Sequence, residues 1–506
     1  MNRRKFIQLS AISAGAALAG VKQVMGADKV PVNPMSNVVD RVGRQVVLPK
    51  SPTIAMPIGV APLAKDALDP MFDDMRSRAG VNVLMTFSYT HETHRAGVEP
   101  SKTFHGGNYA RVHMEYYKDQ PLTLEDMSAP EFGGVDVLER VIPVAQKHGM
   151  KVFPFILEDN TLPALVKNWE SMYEVDHHGR RANGHPGGLC YNHPRYLNFT
   201  RGLLEDYARS YDIGGIMWGS ERQSGFLNAL CLSQSNGQDP SKATCFCDFC
   251  LAKGRAQGID VERARKGFGE VEAFVLASRK GVKPRDGFFT TFWRILLKYP
   301  EVLAWENLWA TSRHEFQAAL YQHVKGINPK LQMGWHVWQN ITFSPFQRAE
   351  ENLEEMAMYS DFLRPAVYNN VAGGRFVTFV NDARTTVFGD LTPQSALEVI
   401  YQQMNYSEAR YDKLAATGFS AQYVEREVRR TVESVGDHPV QVWPGVDIDV
   451  PVGAEESHCT PESVGQAVTA AFNGGAQGII LSRNYTEMKP ENLSGAGKAM
   501  KELGLI

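Results

Sequence analysis

The sequence predicts an α/β fold, a (β/α)8 TIM barrel with long loops on one face, and three observations carry that expectation. Short apolar segments recur along the whole chain, with helical periodicity between them. Glycines that stop helices, Gly80, Gly149, Gly214 and Gly475, fall where the next strand should begin. The excess over the roughly 250 residues of a plain barrel gathers in the connections 90–134, 158–194, 222–301 and 369–420. All four leave C-terminal strand tips, the face on which barrels build their sites. A doubly wound open sheet would want a glycine-rich phosphate turn after its first strand, and Met56-Pro57-Ile58-Gly59-Val60-Ala61-Pro62 does not supply one.

From the N-terminus, Asn2-Arg3-Arg4-Lys5-Phe6-Ile7-Gln8 forms a twin-arginine pattern, followed by an apolar run from Ala11 to Val21 and small residues at Gly26-Ala27. The run is too short to span a membrane. Residues 1–27 therefore read as a twin-arginine signal peptide, and residues 28–506 as one barrel domain bound for the periplasm or beyond. Strands are expected at Thr53–Ile58, Asn82–Tyr89, Lys151–Leu157, Gly214–Ser220, Gln332–Trp338, Phe362–Tyr368, Val440–Ile448 and Gly478–Ser482. Helices are expected at Ala64–Arg78, Val135–His148, Arg195–Tyr211, Val302–Val324, Ala349–Tyr359, Ala421–Val435, Ser463–Asn473 and Ser494–Leu503. The 506 residues are 43% hydrophobic and 22% charged, with a formal charge of −3 and no basic runs. Such a chain has ample core and no electrostatic reason to meet nucleic acid, and no later stretch has the length of a membrane helix.

At the strand tips the residue types change. Glu158 follows the third strand, Glu221-Arg222 the fourth, His336, Trp338 and Asn340 the fifth, Tyr368 and Asn369 the sixth, and Arg483 and Asn484 the eighth. In the seventh, alternation puts Trp443, Gly445, Asp447 and Asp449 on one face. Aromatic faces stack on sugar rings, amides and guanidinium groups bond hydroxyls, and two facing carboxylates can cleave a glycosidic bond. Glu221 with Asp447, or with Asp449 in its place, is the expected catalytic pair. Glu158, Arg222, His336, Trp338, Asn340, Tyr368, Asn369, Trp443, Arg483 and Asn484 are expected to bind a carbohydrate. The competing expectation is that strand-tip acids cap helices or pair with Arg222 and Arg483.

Cys245-x-Cys247-x-x-Cys250 offers three thiolates, and tetrahedral zinc wants four ligands. Cys190 is the natural fourth, with Cys231 and His193 as alternatives. A closed set leaves no open position, so zinc here would be structural, pinning two long loops together. A disulfide within the cluster is the competing reading, and Cys459 reads as an isolated thiol. His91, His94 and His336 are candidate ligands of a metal-dependent hydrolase, and a barrel that binds carbohydrate without cleaving it is a further possibility.

The run from Leu189 to Gly267 carries a resemblance. A cysteine in Cys190-Tyr191-Asn192-His193-Pro194 ahead of a helix, a fourth strand ending in an acid, and then Cys245-x-Cys247-x-x-Cys250 resemble family 42 glycoside hydrolases, β-galactosidases of the large barrel glycosidase clan, and related cysteine-bearing barrels. The resemblance implies zinc on Cys190, Cys245, Cys247 and Cys250, and an acid/base role for Glu221. Two departures stand out. Ser220 holds the place of the clan's asparagine, and the seventh strand offers aspartates where the clan has a glutamate nucleophile. The chain also stops just after its last barrel helix, so the family's later domains are not expected.

Overall fold

Parallel pairing runs from strand to strand until the sheet meets itself. In the computed structural model, which describes residues 46–90, 107–108, 110–118, 135–158, 169–181, 188–232 and 239–506, the strands are β1 (Thr53–Ile58), β2 (Val83–Thr90), β3 (Lys151–Leu157), β4 (Gly215–Gly219), β5 (Gln332–Val337), β6 (Phe362–Pro365), β7 (Gln441–Val442 and Gly445–Asp447) and β8 (Gly478–Ser482). The expected leader, His91 and His94 lie outside the described residues. Each strand pairs with the next in sequence, and β8 returns to β1 through Thr53 and Gly478, so the barrel closes. The first half of β7 pairs with β6 and the second half with β8. That interruption is where the sequence suggested one continuous strand. Pro444 has no N–H and interrupts the regular strand, while the parallel bridge between Ala366 and Gly445 carries the β6 register across it.

Helices follow the strands on the outside, at Leu68–Ala79, Val137–Lys147, Pro194–Ser210, Glu301–Ile327, Leu353–Ala357, Ala421–Val435, Pro461–Asn473 and Pro490–Glu502. The stretch expected as a single helix over 349–359 is two, because the Asn352 side chain accepts the Glu355 N–H and caps a new start. Connection 222–301 is itself helical, with Asp248–Ala256, Val261–Arg279 and Phe288–Lys298, and 369–420 holds Asn369–Arg384, Pro393–Met404 and Tyr411–Thr417. Among the described residues no helix is long and apolar enough to cross a membrane.

Inside the barrel, alternation sorts side chains into layers. The lowest layer sets large rings against missing side chains. Phe153, Phe362 and Trp443 fill it, with Phe362 and Trp443 stacked at 3.9 Å and 16°. Gly215, Gly334 and Gly478 make the room: a Cβ on them would meet the rings of Phe153, Phe362 and Trp443 in turn. Trp443 is fully buried in this layer and its indole N–H bonds Gln441, so it is core and not the sugar platform expected of it.

Trp443→Ala should therefore cost stability, about 3–5 kcal/mol for a large buried aromatic, measured as a lowered urea midpoint. An unchanged midpoint would mean that Trp443 is not part of the core.

Candidate active site

Alternation brings the carboxylate of Glu221 into the barrel mouth. Glu221 continues the inward series Gly215, Met217 and Gly219 just past β4, and its side chain is 55% exposed. His336, inward on β5, places Nε2 3.1 Å from Glu221 Oε1. Arg364, inward on β6, places its guanidinium 2.6 Å from the other ring nitrogen, Nδ1. A guanidinium only donates. Nδ1 must then accept, and the ring proton sits on Nε2, where it is donated to Glu221. Burial and the charge of Arg364 both lower the His336 pKa, which fits a neutral ring.

Arg364 is itself buried and also donates to Ser482 Oγ at 2.8 Å and to the Tyr368 hydroxyl. It fits because Gly445 has no side chain: a Cβ there would lie 2.8 Å from the guanidinium. Arg375, in the helix Asn369–Arg384, donates to Gln339 Oε1 at 2.7 Å and lies 5.9 Å from the Tyr368 ring centroid. Burial works to raise the Glu221 carboxyl, but the His336 hydrogen bond and the charges of Arg375 and Arg364 outweigh it and hold it low, at about 2. Water over the exposed half of the side chain screens part of that pull. Glu221 is ionised at neutral pH. That is the state of a nucleophile or a base, whereas a general acid must arrive protonated.

The seventh-strand aspartates are placed differently from the expected pair. Asp447 keeps its inward parity yet is fully buried, accepting the Val371 N–H at 3.3 Å and the Val450 N–H at 3.0 Å, with the Cys459 thiol 3.2 Å away. Burial raises its carboxyl, the opposite of Glu221. Asp449 leaves the alternation because its backbone is left-handed, at φ 61. Its carboxylate turns to the start of the helix Pro490–Glu502, accepting the Lys489 N–H at 2.8 Å and the Asn492 amide at 2.8 and 2.9 Å. Both acids brace the turn after β7. Cys459 is part of that brace and not an isolated thiol.

Glu158 and Arg222 have the outward parity of β3 and β4, and the structure puts them behind the wall. They pair with each other at 2.6 Å, both buried, and Arg222 also meets Glu174 at 2.9 Å and lies 4.4 Å from the Tyr191 ring centroid. Arg483 is likewise turned away and pairs with Glu487 at 2.9 Å. Pairing with arginine is thus the fate of Glu158, and capping that of Asp449. Tyr368 joins the mouth beneath both arginines. Trp338 is half-buried where the turn Gln339–Thr342 begins. Asn340, Asn369 and Asn484 are buried after β5, β6 and β8, each with one side-chain amide atom that has no partner among the described residues. Asn484 Oδ1 accepts the Gly59 N–H at 3.2 Å, which ties the end of β8 to the end of β1.

Arg364, Arg375, Gln339 and Ser482 are mouth residues that sequence reasoning missed. Arg364 had a signal, a charge two residues from Phe362 on the same face of an apolar strand. Arg375 had none, being one more charged residue on a helix.

Four thiols meet behind the same wall. The Sγ atoms of Cys190, Cys245, Cys247 and Cys250 lie within 4.8 Å of one another, all buried, with Cys190 3.4 Å from both Cys247 and Cys250. Ligands at about 2.3 Å around a tetrahedral ion stand about 3.8 Å apart, so the cluster fits a metal and is far wider than a disulfide of about 2.05 Å. All six cysteines are free thiols. The neighbouring thiols hold Cys247 well below the usual thiol range, while burial and those same neighbours push Cys245 up. The Asn192 amide donates to Cys250 at 3.2 Å. Of the alternative fourth ligands, His193 caps the helix Pro194–Ser210 and Cys231 accepts from Arg279 at 3.1 Å.

No protein-family model and no curated protein matches this chain. Among solved structures it is similar to a β-galactosidase from Marinomonas ef1, with 10% identity over 90% of this chain and 61% of that one, at a TM-score of 0.48. A β-galactosidase from Halorubrum lacusprofundi shows 13% identity over 90% and 58%, at 0.48. A family 42 β-galactosidase from G. stearothermophilus shows 11% identity over 90% and 57%, at 0.44. The chain spans about three-fifths of the length of these proteins.

His336→Phe removes the donor that holds Glu221 low. The pH midpoint of the Glu221 carboxylate band in infrared difference spectra should therefore move up towards the ordinary glutamate value of about 4.3. An unmoved midpoint would mean that the hydrogen bond does not set the Glu221 charge.

Proposed function

We propose that this chain is a glycoside hydrolase whose reaction centres on Glu221, and that its cysteine cluster holds structural zinc. The observation that carries the first part is the ionised, half-exposed carboxylate at the tip of β4, oriented by His336 and Arg364. An oxocarbenium-like transition state places positive charge on the sugar, and a fixed anion stabilises it. As Glu221 bonds to the anomeric carbon, or takes the proton of the water that does, the C–O bond to the leaving group breaks, and the departing oxygen keeps the electron pair and takes its proton from solvent. Arg364 cannot lose its proton and keeps the His336 tautomer fixed, so Glu221 faces the substrate as an anion. Asp447 and Asp449 act in this account through the shape of the β7 turn.

The burial of Asp447 favours a second reading, a barrel that binds carbohydrate without cleaving it. Chromogenic aryl glycosides separate the two. Glu221→Gln should lower turnover at least about 10³-fold, with folding and metal content intact. Turnover surviving in that variant, or azide restoring turnover to Asp447→Gly, would overturn the assignment. Absence of cleavage across a broad glycoside panel, with binding retained, would support the second reading.

For zinc, the donor chemistry decides. Four thiolates select a soft or borderline ion, and a closed set leaves no position for water. The cysteines would hold the ion and join the loop before β4 to the loop after it, with no step in the reaction. About one zinc per chain is expected, and Cys247→Ser should lose it together with a large drop in thermal stability. Purified protein without zinc, with Cys245 or Cys250 in a disulfide, would remove this reading.

A further inference from the structure

Beside the segment that carries Cys245, and with donors distinct from the four thiols, we propose a second metal site, formed by His177, His178 and Glu272, for a divalent transition ion such as zinc or nickel. The three residues each present one donor atom, and these lie within 4.8 Å of one another. Both imidazole Nε2 atoms converge on a single oxygen, Oε2 of Glu272, at 2.9 and 2.7 Å.

Consecutive residues in an extended chain send their side chains to opposite sides, and here a tight turn prevents it. Val175 and Arg181 form an antiparallel bridge, Gly179 between them takes φ 83, and Asp176 Oδ1 accepts the N–H groups of His178 and Arg180 at 2.9 Å each. The His177 N–H reaches the Ala243 carbonyl at 3.0 Å, which anchors the turn. The two rings consequently lie side by side, with centroids 4.1 Å apart. Glu272 rises to meet them from the helix Val261–Arg279.

One imidazole would satisfy a carboxylate oxygen. Two on the same oxygen, at the end of a braced turn, form the donor set of two-histidine, one-carboxylate metal sites. Around tetrahedral zinc, nitrogen and oxygen ligands stand about 3.4 Å apart, so the trio need open by less than a bond length. His178 has the freedom to do so, its side chain being 45% exposed while that of His177 is 2% exposed. That exposure also leaves the remaining coordination positions to solvent. Two imidazoles and one carboxylate suit zinc, nickel or copper over calcium or magnesium, which favour all-oxygen sets. The ion would clip the 175–181 turn to the helix Val261–Arg279.

The test is equilibrium dialysis of the full-length protein against micromolar Zn²⁺ or Ni²⁺, with metal counted per chain by mass spectrometry. One equivalent should disappear in His178→Ala and in Glu272→Gln yet persist in folded Cys247→Ser. His178 is exposed, so its removal leaves folding intact, which a melting curve of the metal-free variant checks. Co²⁺ at this site should give d–d bands without the thiolate charge-transfer band. Uptake in His178→Ala and Glu272→Gln equal to that of the wild type would overturn the proposal, as would a wild type whose whole metal content is lost in Cys247→Ser.

Discussion

Each strand residue of a closed barrel has two directions to choose from, and that constraint decides the chemistry of this molecule. Inward positions lead from the stacked rings of Phe362 and Trp443 at the bottom to Glu221, His336, Arg364 and Ser482 at the top. Outward positions lead to the Glu158–Arg222–Glu174 network and to the thiols. Glu221 and Arg222 are neighbours in sequence and belong to different sites for this reason alone. Strand parity sets which charges face the mouth.

Electrostatics then separates carboxylates of one chemical type. Glu221 has three nearby donors or cations and is held down, whereas Asp447 is sealed from water and is raised. Arg364 is the costly member, a buried cation with no carboxylate in direct contact among the described residues. Its hydrogen bonds to His336, Tyr368 and Ser482 offset part of the desolvation, and its field is felt at Glu221. Holding a cation behind an imidazole, out of contact with the carboxylate, keeps Glu221 charged while leaving its outer face free.

Much of this was legible in the sequence. Three strands, Thr53–Ile58, Lys151–Leu157 and Gly478–Ser482, have the bounds that their apolar runs suggest, and the four thiols meet as their spacing implies. The sequence is least legible where a local event overrides a periodic rule. Alternation holds for Trp443, Gly445 and Asp447, but it gives direction and not depth, so it does not tell a core tryptophan or a sealed aspartate from residues of the mouth. At Asp449 a left-handed backbone ends the alternation outright. Arg222 and Glu158 sit at strand tips yet have the outward parity, so tip position alone does not place them in the mouth. The turn that aligns His177 with His178 depends on Asp176 and Gly179 together, a combination that no period reveals.

The central claim is that Glu221 faces the barrel mouth as an anion because His336 and Arg364 hold it so. Infrared difference spectra between wild type and Glu221→Gln, recorded at about pH 3, where an ordinary glutamate is almost wholly protonated, test it without any substrate. The account predicts that the wild type contributes a carboxylate band which the variant lacks. A protonated carboxyl band at that pH, in place of the carboxylate, would contradict it.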